Sequence, residues 1–230
     1  MSTIQSITIN DTYPWGRNLE EYKSMFSLSR QDLGRRVLAC ADGPASFNAE
    51  MTRLGNSVMS IDPLYEFTAK EIRQRIDATY VELVAAARTN EHRFCWGPIP
   101  SPEALGQRRM AAMEVFLEDY EAGRAQGRYQ AQSLPRVSFA TAQFDLALCS
   151  HFLFLYSHRF DLNFHFQSVL EMLRVAREVR IFPLLDMDGW KSAHLEPLLA
   201  RLDALGLNAS VDRVDYEFQL GGNEMLRITQ

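Results

Sequence analysis

The sequence predicts an α/β protein built on a doubly wound, mostly parallel seven-stranded sheet, with an antiparallel C-terminal hairpin strand and a helical insert. Three observations carry this expectation. Short, wholly apolar runs such as Val37-Leu38-Ala39-Cys40-Ala41 suit parallel strands covered on both faces. These runs alternate with stretches of helical spacing, and that alternation implies right-handed crossovers between parallel strands. The last two strand-like segments are separated by Gly221-Gly222-Asn223, which reads as a hairpin turn.

Taken in order, residues 1–35 read as an N-terminal arm and helix. Residues 1–17 are irregular, and Leu19, Tyr22, Met25, Phe26 and Leu28 then follow a helical spacing. The first strand, Val37 to Ala41, stops at Asp42-Gly43-Pro44, a strong breaker. Ser46 is placed to cap the next helix with Glu50 in its early turns, and Gly55 falls where that helix should end. Val58-Met59-Ser60-Ile61 is the second strand, ending in Asp62-Pro63. Helical patterns over Glu66–Arg88 and Ala104–Ala125, broken by Pro98, Pro100 and Pro102, form a 66–128 insert longer than one crossover helix requires. It is a candidate lid, with Trp96 and its flanking prolines either part of that lid or only a rigid loop. Further strands are expected over Tyr129–Gln132, Phe144–Cys149, Val179–Leu184, Val211–Phe218 and Glu224–Thr229. Helices are expected over Phe164–Ala176 and Leu195–Leu205, the latter stopped by Gly206. No internal repeat or low-complexity tract divides the chain, so 1–230 reads as one domain.

Composition narrows the function. Of 230 residues, 47% are apolar and 23% charged, enough for a substantial core and unlike a disordered chain. A net charge of −5 gives no general attraction to phosphate backbones, so no nucleic-acid partner is expected. The densest apolar stretch, Phe152 to Tyr156, is far short of the roughly 20 residues a spanning helix needs, and no membrane role is expected. The start, MSTIQSITINDTYPWGR, does not read as a signal peptide. Cys40, Cys95 and Cys149 are odd in number and widely spaced, as reduced thiols of a cytoplasmic protein would be. His151, His158 and His165 are evenly spaced but lack a carboxylate at a recognised ligand spacing, so no metal is expected. The aromatic run from Phe152 to Phe166 reads as core, and the pairs Arg35-Arg36 and Arg108-Arg109 as solvated faces.

In a doubly wound sheet, ligands bind beyond the carboxyl ends of the strands, where strand order reverses. Three segments fall on that edge. Ala41-Asp42-Gly43-Pro44-Ala45 offers small residues that let backbone approach a ligand, with free N–H groups on the helix that follows. Asp62 ends the second strand about twenty residues on, where a carboxylate can accept both hydroxyls of a ribose. Cys149-Ser150-His151 ends the fourth strand, facing where a reacting group would lie. Each has a plainer reading as well: Asp42 as an Asx turn, Asp62 as a turn cap before Pro63, His151 as a polar group at the rim.

From about Arg36 to Arg227, outside the 66–128 insert, the chain resembles the class I S-adenosylmethionine-dependent methyltransferases of uncharacterised bacterial type. Val37 to Ala45 resembles that family's glycine-rich first motif, with Gly43 as its middle glycine, Ala41 and Ala45 replacing the outer two, and Ala39 at the usual acidic position. Val58 to Asp62 resembles the second motif, Gln130 to Pro135 the adenine-binding segment with Gln130 in place of aspartate, and Phe144 to His151 the fourth motif. The resemblance implies a Rossmann-like fold and S-adenosyl-L-methionine as cofactor. It implies Ala41, Asp42, Gly43, Pro44, Ala45, Asp62, Pro63, Gln130, Ala131 and Ser150 as cofactor contacts. Methyl transfer to a small-molecule acceptor follows, with His151 as the candidate base and Asp42 as a substitute carboxylate for the cofactor's ammonium group. Two other readings stay open: a non-catalytic nucleoside-binding or scaffold descendant of the fold, and an NAD-dependent oxidoreductase, although the Ala41–Ser46 window lacks G-x-G-x-x-G.

Overall fold

The computed structural model describes residues 13–229, so residues 1–12 of the expected arm lie outside the described residues. Helices α1 (Leu19–Met25) and α2 (Arg30–Leu33) lead into β1 (Val37–Cys40), α3 (Phe47–Arg53) and β2 (Val58–Ile61). The insert follows as α4 (Ala69–Thr89) and α5 (Pro102–Ala125). The chain then runs through β3 (Tyr129–Gln130), β4 (Phe144–Ser150), α6 (Leu162–Val175), β5 (Ala176–Phe182), α7 (Leu195–Asp203), β6 (Asn208–Arg213) and β7 (Glu224–Thr229).

The seven strands pair in the order β3-β2-β1-β4-β5-β7-β6. Strands β1 to β5 are parallel, whereas β7 runs antiparallel to both its neighbours. This is the fold expected from the class I methyltransferase resemblance. Strand order reverses between β1 and β4, where Cys40 pairs with Cys149, so the ligand edge lies beyond those two residues. All four β1 residues are buried, as a strand covered on both faces requires. One side of the sheet packs on α6 and α7 through Val169, Met172, Leu195 and Leu198. The other packs on α1 and α3 through Tyr22, Phe26, Phe47 and Met51.

The C-terminal hairpin differs from expectation. Strand β6 covers 208–213 and forms the sheet edge, while β7 is inserted between it and β5. A ten-residue connection, 214–223, joins them instead of a tight turn, closed by the Val214 N–H donating to the Asn223 carbonyl. Residues 214–218, expected to continue that strand, are engaged elsewhere. The Tyr216 hydroxyl donates to buried Glu21, Phe218 stacks on Phe94 at 4.7 Å, and the Cys95 N–H donates to the Phe218 carbonyl.

Other local expectations shift for similar reasons. Ser46 does not cap α3: it has helical φ, and its hydroxyl donates to Glu50, whose other oxygen accepts the Leu19 N–H. The pair Arg108-Arg109 is not a solvated face, because Arg109 is fully buried on an ion pair with Glu21. Arg35 is likewise engaged, bridging Asp32 and Glu178. The insert helices lie antiparallel around a core of Tyr65, Ile72, Met113, Phe116, Tyr120 and Tyr129. Of the aromatic run, Phe152, Phe154 and Tyr156 are buried. No helix among the described residues is long and apolar enough to cross a membrane.

Candidate functional site

A cleft of about 370 Å³ opens at the switch point. Its floor is the loop after β1. Ala41 and Gly43 both take left-handed φ, +52° each, and a Cβ at Gly43 would meet nothing nearer than Asp62 Oδ2 at 3.9 Å. Glycine therefore suits position 43 for its backbone, and the space above it is open. Ala41 holds the same φ with a side chain, and so does His151 (+51°) at the end of the neighbouring strand. Two non-glycine residues in this region, side by side at a strand edge, are the kind of stored strain that marks ligand sites.

Two carboxylates brace the loop. Asp62 Oδ2 accepts the Gly43 N–H at 2.9 Å and its Oδ1 accepts the Leu64 N–H at 2.8 Å. The Tyr65 hydroxyl donates to the Gly43 carbonyl at 2.7 Å, so both backbone polar groups of Gly43 are held. Burial pushes Asp62 up to about 6, against the pull of those two N–H donors. Its two oxygens offer about four lone-pair sites and only two are used, which leaves capacity for two hydroxyl donors. Asp42 is different. It is buried, its carboxylate accepts from Tyr22 and Ser60 hydroxyls, and burial also pushes it up to about 6, with nearby Asp62 adding to the effect. Each of its oxygens accepts one hydroxyl, as each of Asp62's accepts one N–H, and Asp42 is buried where Asp62 is half-buried.

Beyond β4, Ser150 and His151 line the same cleft, and Ser150 Oγ lies 2.9 Å from His151 Nδ1. Burial, reinforced by the positive charges of Arg17 and Arg109, holds His151 well below the usual imidazole pKa, so the ring is neutral near pH 7. A neutral imidazole can accept a proton; for Nε2 to do so, Nδ1 must carry the hydrogen and donate it to Ser150.

The structure brings Ala41, Asp42, Gly43, Pro44, Ala45, Asp62, Pro63, Ser150 and His151 together around one space. It does not bring in Gln130 and Ala131. The Gln130 amide donates to the Gly127 carbonyl and its oxygen accepts from Gln132, because β3 has not yet released the chain at this point. Gln132, Ser133 and Leu134, just past the strand end, line the cleft instead. Nor is the first turn of α3 wholly free, since the Ser46 N–H donates to the Arg17 carbonyl.

The arm expected over 1–35 also enters the cleft, which no motif in it announces. Trp15 and Arg17 line the cleft, and Gly16 lies so close to Pro44 that a Cβ there would stand 2.1 Å from the Pro44 carbonyl oxygen. Tyr22 and Tyr216 also line it. The nearest available signal was Trp15-Gly16-Arg17, a large side chain, a glycine and a cation in succession. A second wall comes from the insert through Leu83, Asn90 and Phe94, and a third from Met187 and the 214–223 connection. These walls are latched together, with Arg93 donating to the Met187 carbonyl and Gln219 to the Asp186 carbonyl.

No family model matches the chain. It is 32% identical over 224 residues to Uncharacterized protein MJ0045 of Methanocaldococcus jannaschii, spanning 96% of this chain and 98% of that protein. The chain belongs to the MJ0045 family. Solved structures similar to this MJ0045-family chain include magnesium protoporphyrin IX methyltransferase from Synechocystis PCC 6803 with bound SAM, at 13% identity and TM-score 0.42, covering 87% of this chain and 72% of that one. A putative S-adenosyl-L-methionine-dependent methyltransferase from Methanococcus maripaludis matches at 9% identity and TM-score 0.48, covering 92% and 83%.

Proposed function

We propose that this chain is an S-adenosyl-L-methionine-dependent methyltransferase acting on a small-molecule acceptor. The single observation that supports it most is the convergence of the Gly43 loop and the Asp62 carboxylate on one open space at the switch point. The residues present fit an adenosyl group. Asp62 has acceptor capacity left for the ribose hydroxyls, Gly43 leaves the space above the loop open, and Gln132 to Leu134 offer a polar and apolar edge for the base. When bound, the cofactor supplies an electrophilic methyl on a sulfonium, which leaves as a neutral thioether once the acceptor's lone pair takes the methyl.

The protein's share is alignment, exclusion of water and management of one proton. The arm, the end of α4 and the 214–223 connection wall the cleft, and we assign the 66–128 insert the role of lid and acceptor wall. His151 Nε2 is the group to receive a proton from a hydroxyl or amine acceptor, with Ser150 fixing the ring through Nδ1. A non-catalytic nucleoside-binding descendant draws support from one observation: the carboxylate of Asp42, the one acid in the first loop, is already bonded to Tyr22 and Ser60.

Calorimetric titration with S-adenosylhomocysteine decides the matter. Wild type is expected to bind it, and Asp62→Ala is expected to lose roughly tenfold to a hundredfold in affinity, the scale of charge-assisted hydrogen bonds. Unchanged affinity in Asp62→Ala would remove the site assignment. Binding without transfer of label to any acceptor in a cell extract would favour the non-catalytic reading.

A further inference from the structure

The charges around the cleft do not balance where the acceptor would sit. Arg109, fully buried in α5, donates through Nη1 to both oxygens of Glu21 at 2.7 and 2.6 Å. The Tyr216 hydroxyl donates to the same carboxylate at 3.0 Å, and Arg108 Nε stands 3.8 Å from it. Arg17 brings a third guanidinium. It lines the cleft, and its Nη1 donates to the Trp15 carbonyl at 3.2 Å. Its Nε is buried without a hydrogen-bond partner, and it forms no ion pair among the described residues. Three guanidiniums therefore share one carboxylate. Taking an uncompensated charge out of water costs several kcal/mol, and a buried unpartnered donor calls for an explanation. An anion arriving with a ligand supplies both the charge and the acceptor atoms.

The position of Arg17 indicates which part of the ligand is meant. Its charge acts on His151 and Tyr156, beyond β4, and on Tyr22, whose hydroxyl bonds Asp42 of the first loop, whereas the shift of Asp62 at the nucleoside end is set by burial and two backbone donors. The guanidinium is carried on a fixed arm, since the Arg17 carbonyl accepts the Ser46 N–H at 3.0 Å and Gly16 packs directly on Pro44. The cleft it lines also presents the large apolar side chains of Trp15, Phe152, Leu155, Phe94 and Phe218. The other cation of the lining, Arg93, already donates to the Met187 carbonyl.

We propose that the methyl acceptor is a small, largely apolar molecule carrying a carboxylate, and that Arg17 binds that carboxylate. The proposal rests on the methyltransferase reading, and its test separates the two. Wild type, Arg17→Gln and Arg17→Lys are first titrated with S-adenosylhomocysteine and with methylthioadenosine, which lacks the amino-acid tail. Each protein, saturated with S-adenosylhomocysteine, is then titrated with matched acids and primary amides: benzoate and benzamide, phenylpropionate and phenylpropionamide, indoleacetate and indoleacetamide.

At least one acid is expected to bind wild type while its amide does not. Arg17→Gln should lose roughly tenfold or more of that acid affinity, and Arg17→Lys, which keeps the charge without the fork, should recover part of it. Affinity for S-adenosylhomocysteine should stay within about twofold in all three proteins, which also shows that the variants are folded, since about twofold is well under 1 kcal/mol. Three results overturn the proposal while leaving the methyltransferase reading standing. They are equal binding of acids and amides, no binding of any acid to the loaded protein, and a tenfold loss of S-adenosylhomocysteine affinity in Arg17→Gln that spares methylthioadenosine, which would assign the charge to the cofactor's own tail. Failure of wild type to bind S-adenosylhomocysteine at all sinks the underlying reading and this proposal with it.

Discussion

Asp62 is the residue on which most depends, and its chemistry is pH-sensitive in a way that can be checked. Burial raises it from 3.8 to about 6, so near pH 5 it is largely protonated and can accept fewer hydroxyl donors. Affinity for S-adenosylhomocysteine is therefore expected to rise between about pH 5 and pH 7 with a midpoint near 6. In Asp62→Asn the profile should flatten; a profile that stays steep would assign the titration to another group. Glu21 acts at the same scale through charge rather than ligand contact. Burial pushes its carboxyl up, but Arg109, Arg17 and Arg108 together hold it below the usual range, so it is ionised and pairs with a guanidinium that has no access to water. Glu21→Gln leaves Arg109 buried without its counter-charge and should cost about 3–5 kcal/mol of stability, read by chemical denaturation.

At the level of elements, the arm and the loop after β1 are one construction. Residues 13–17 reach the cleft because Gly16 has no side chain, and because the Arg17 carbonyl takes the Ser46 N–H. In Gly16→Ala the new Cβ would overlap the Pro44 carbonyl, which belongs to backbone and cannot swing aside. A loss of about 1–3 kcal/mol is expected, as for other overpacked positions, together with weaker binding of S-adenosylhomocysteine. A Gly16→Ala protein with wild-type melting temperature and affinity would mean that the arm does not sit on this loop in solution. The insert is the other element-level device. Its α4 end and the 214–223 connection meet through the Phe94–Gln219 bridge and the stack of Phe94 on Phe218, so two segments more than a hundred residues apart close the same wall.

Over the whole molecule, ionisable groups pull stability in two directions with pH. Asp42 and Asp62 are raised from 3.8 to about 6 in the folded state. The folded protein therefore binds those protons more tightly than the unfolded chain, and stability falls as pH rises from about 4 to about 6. Asp32 and Asp145 move the opposite way, to about 2. For Asp32, burial pushes up but is outweighed by Ser29, Arg35 and Arg180; for Asp145, the hydrogen bonds from Arg36 dominate. Their stabilising effect is complete above about 4 and is lost as pH falls towards 2. His151, held well below the usual imidazole range chiefly by burial, opposes Asp42 and Asp62 by losing stability as pH falls below about 6.5. The optimum of the melting temperature is set by that balance, and saturating S-adenosylhomocysteine should move it upward by favouring ionised Asp62. An optimum that stays put on ligand addition would mean Asp62 does not face the nucleoside.

The sequence by itself determined the layered α/β architecture and the switch-point edge, and it set the Gly43 loop and Asp62 together on that edge. Each of those signals is local: buried parallel strands need continuous apolar runs, and a loop with left-handed φ needs a glycine or a small residue. Partners far apart along the chain were decided only by tertiary structure. Arg109 reads as a surface charge until α5 packs it against Glu21, and Asp42 reads as a free acid until Tyr22 and Ser60 close on it. Residues 214–218 read as strand until Tyr216 and Phe218 find Glu21 and Phe94. A period or a motif records how a residue sits relative to its own neighbours, whereas the pairing of buried charges depends on which helix the fold lays beside which, and no short window of sequence contains both partners.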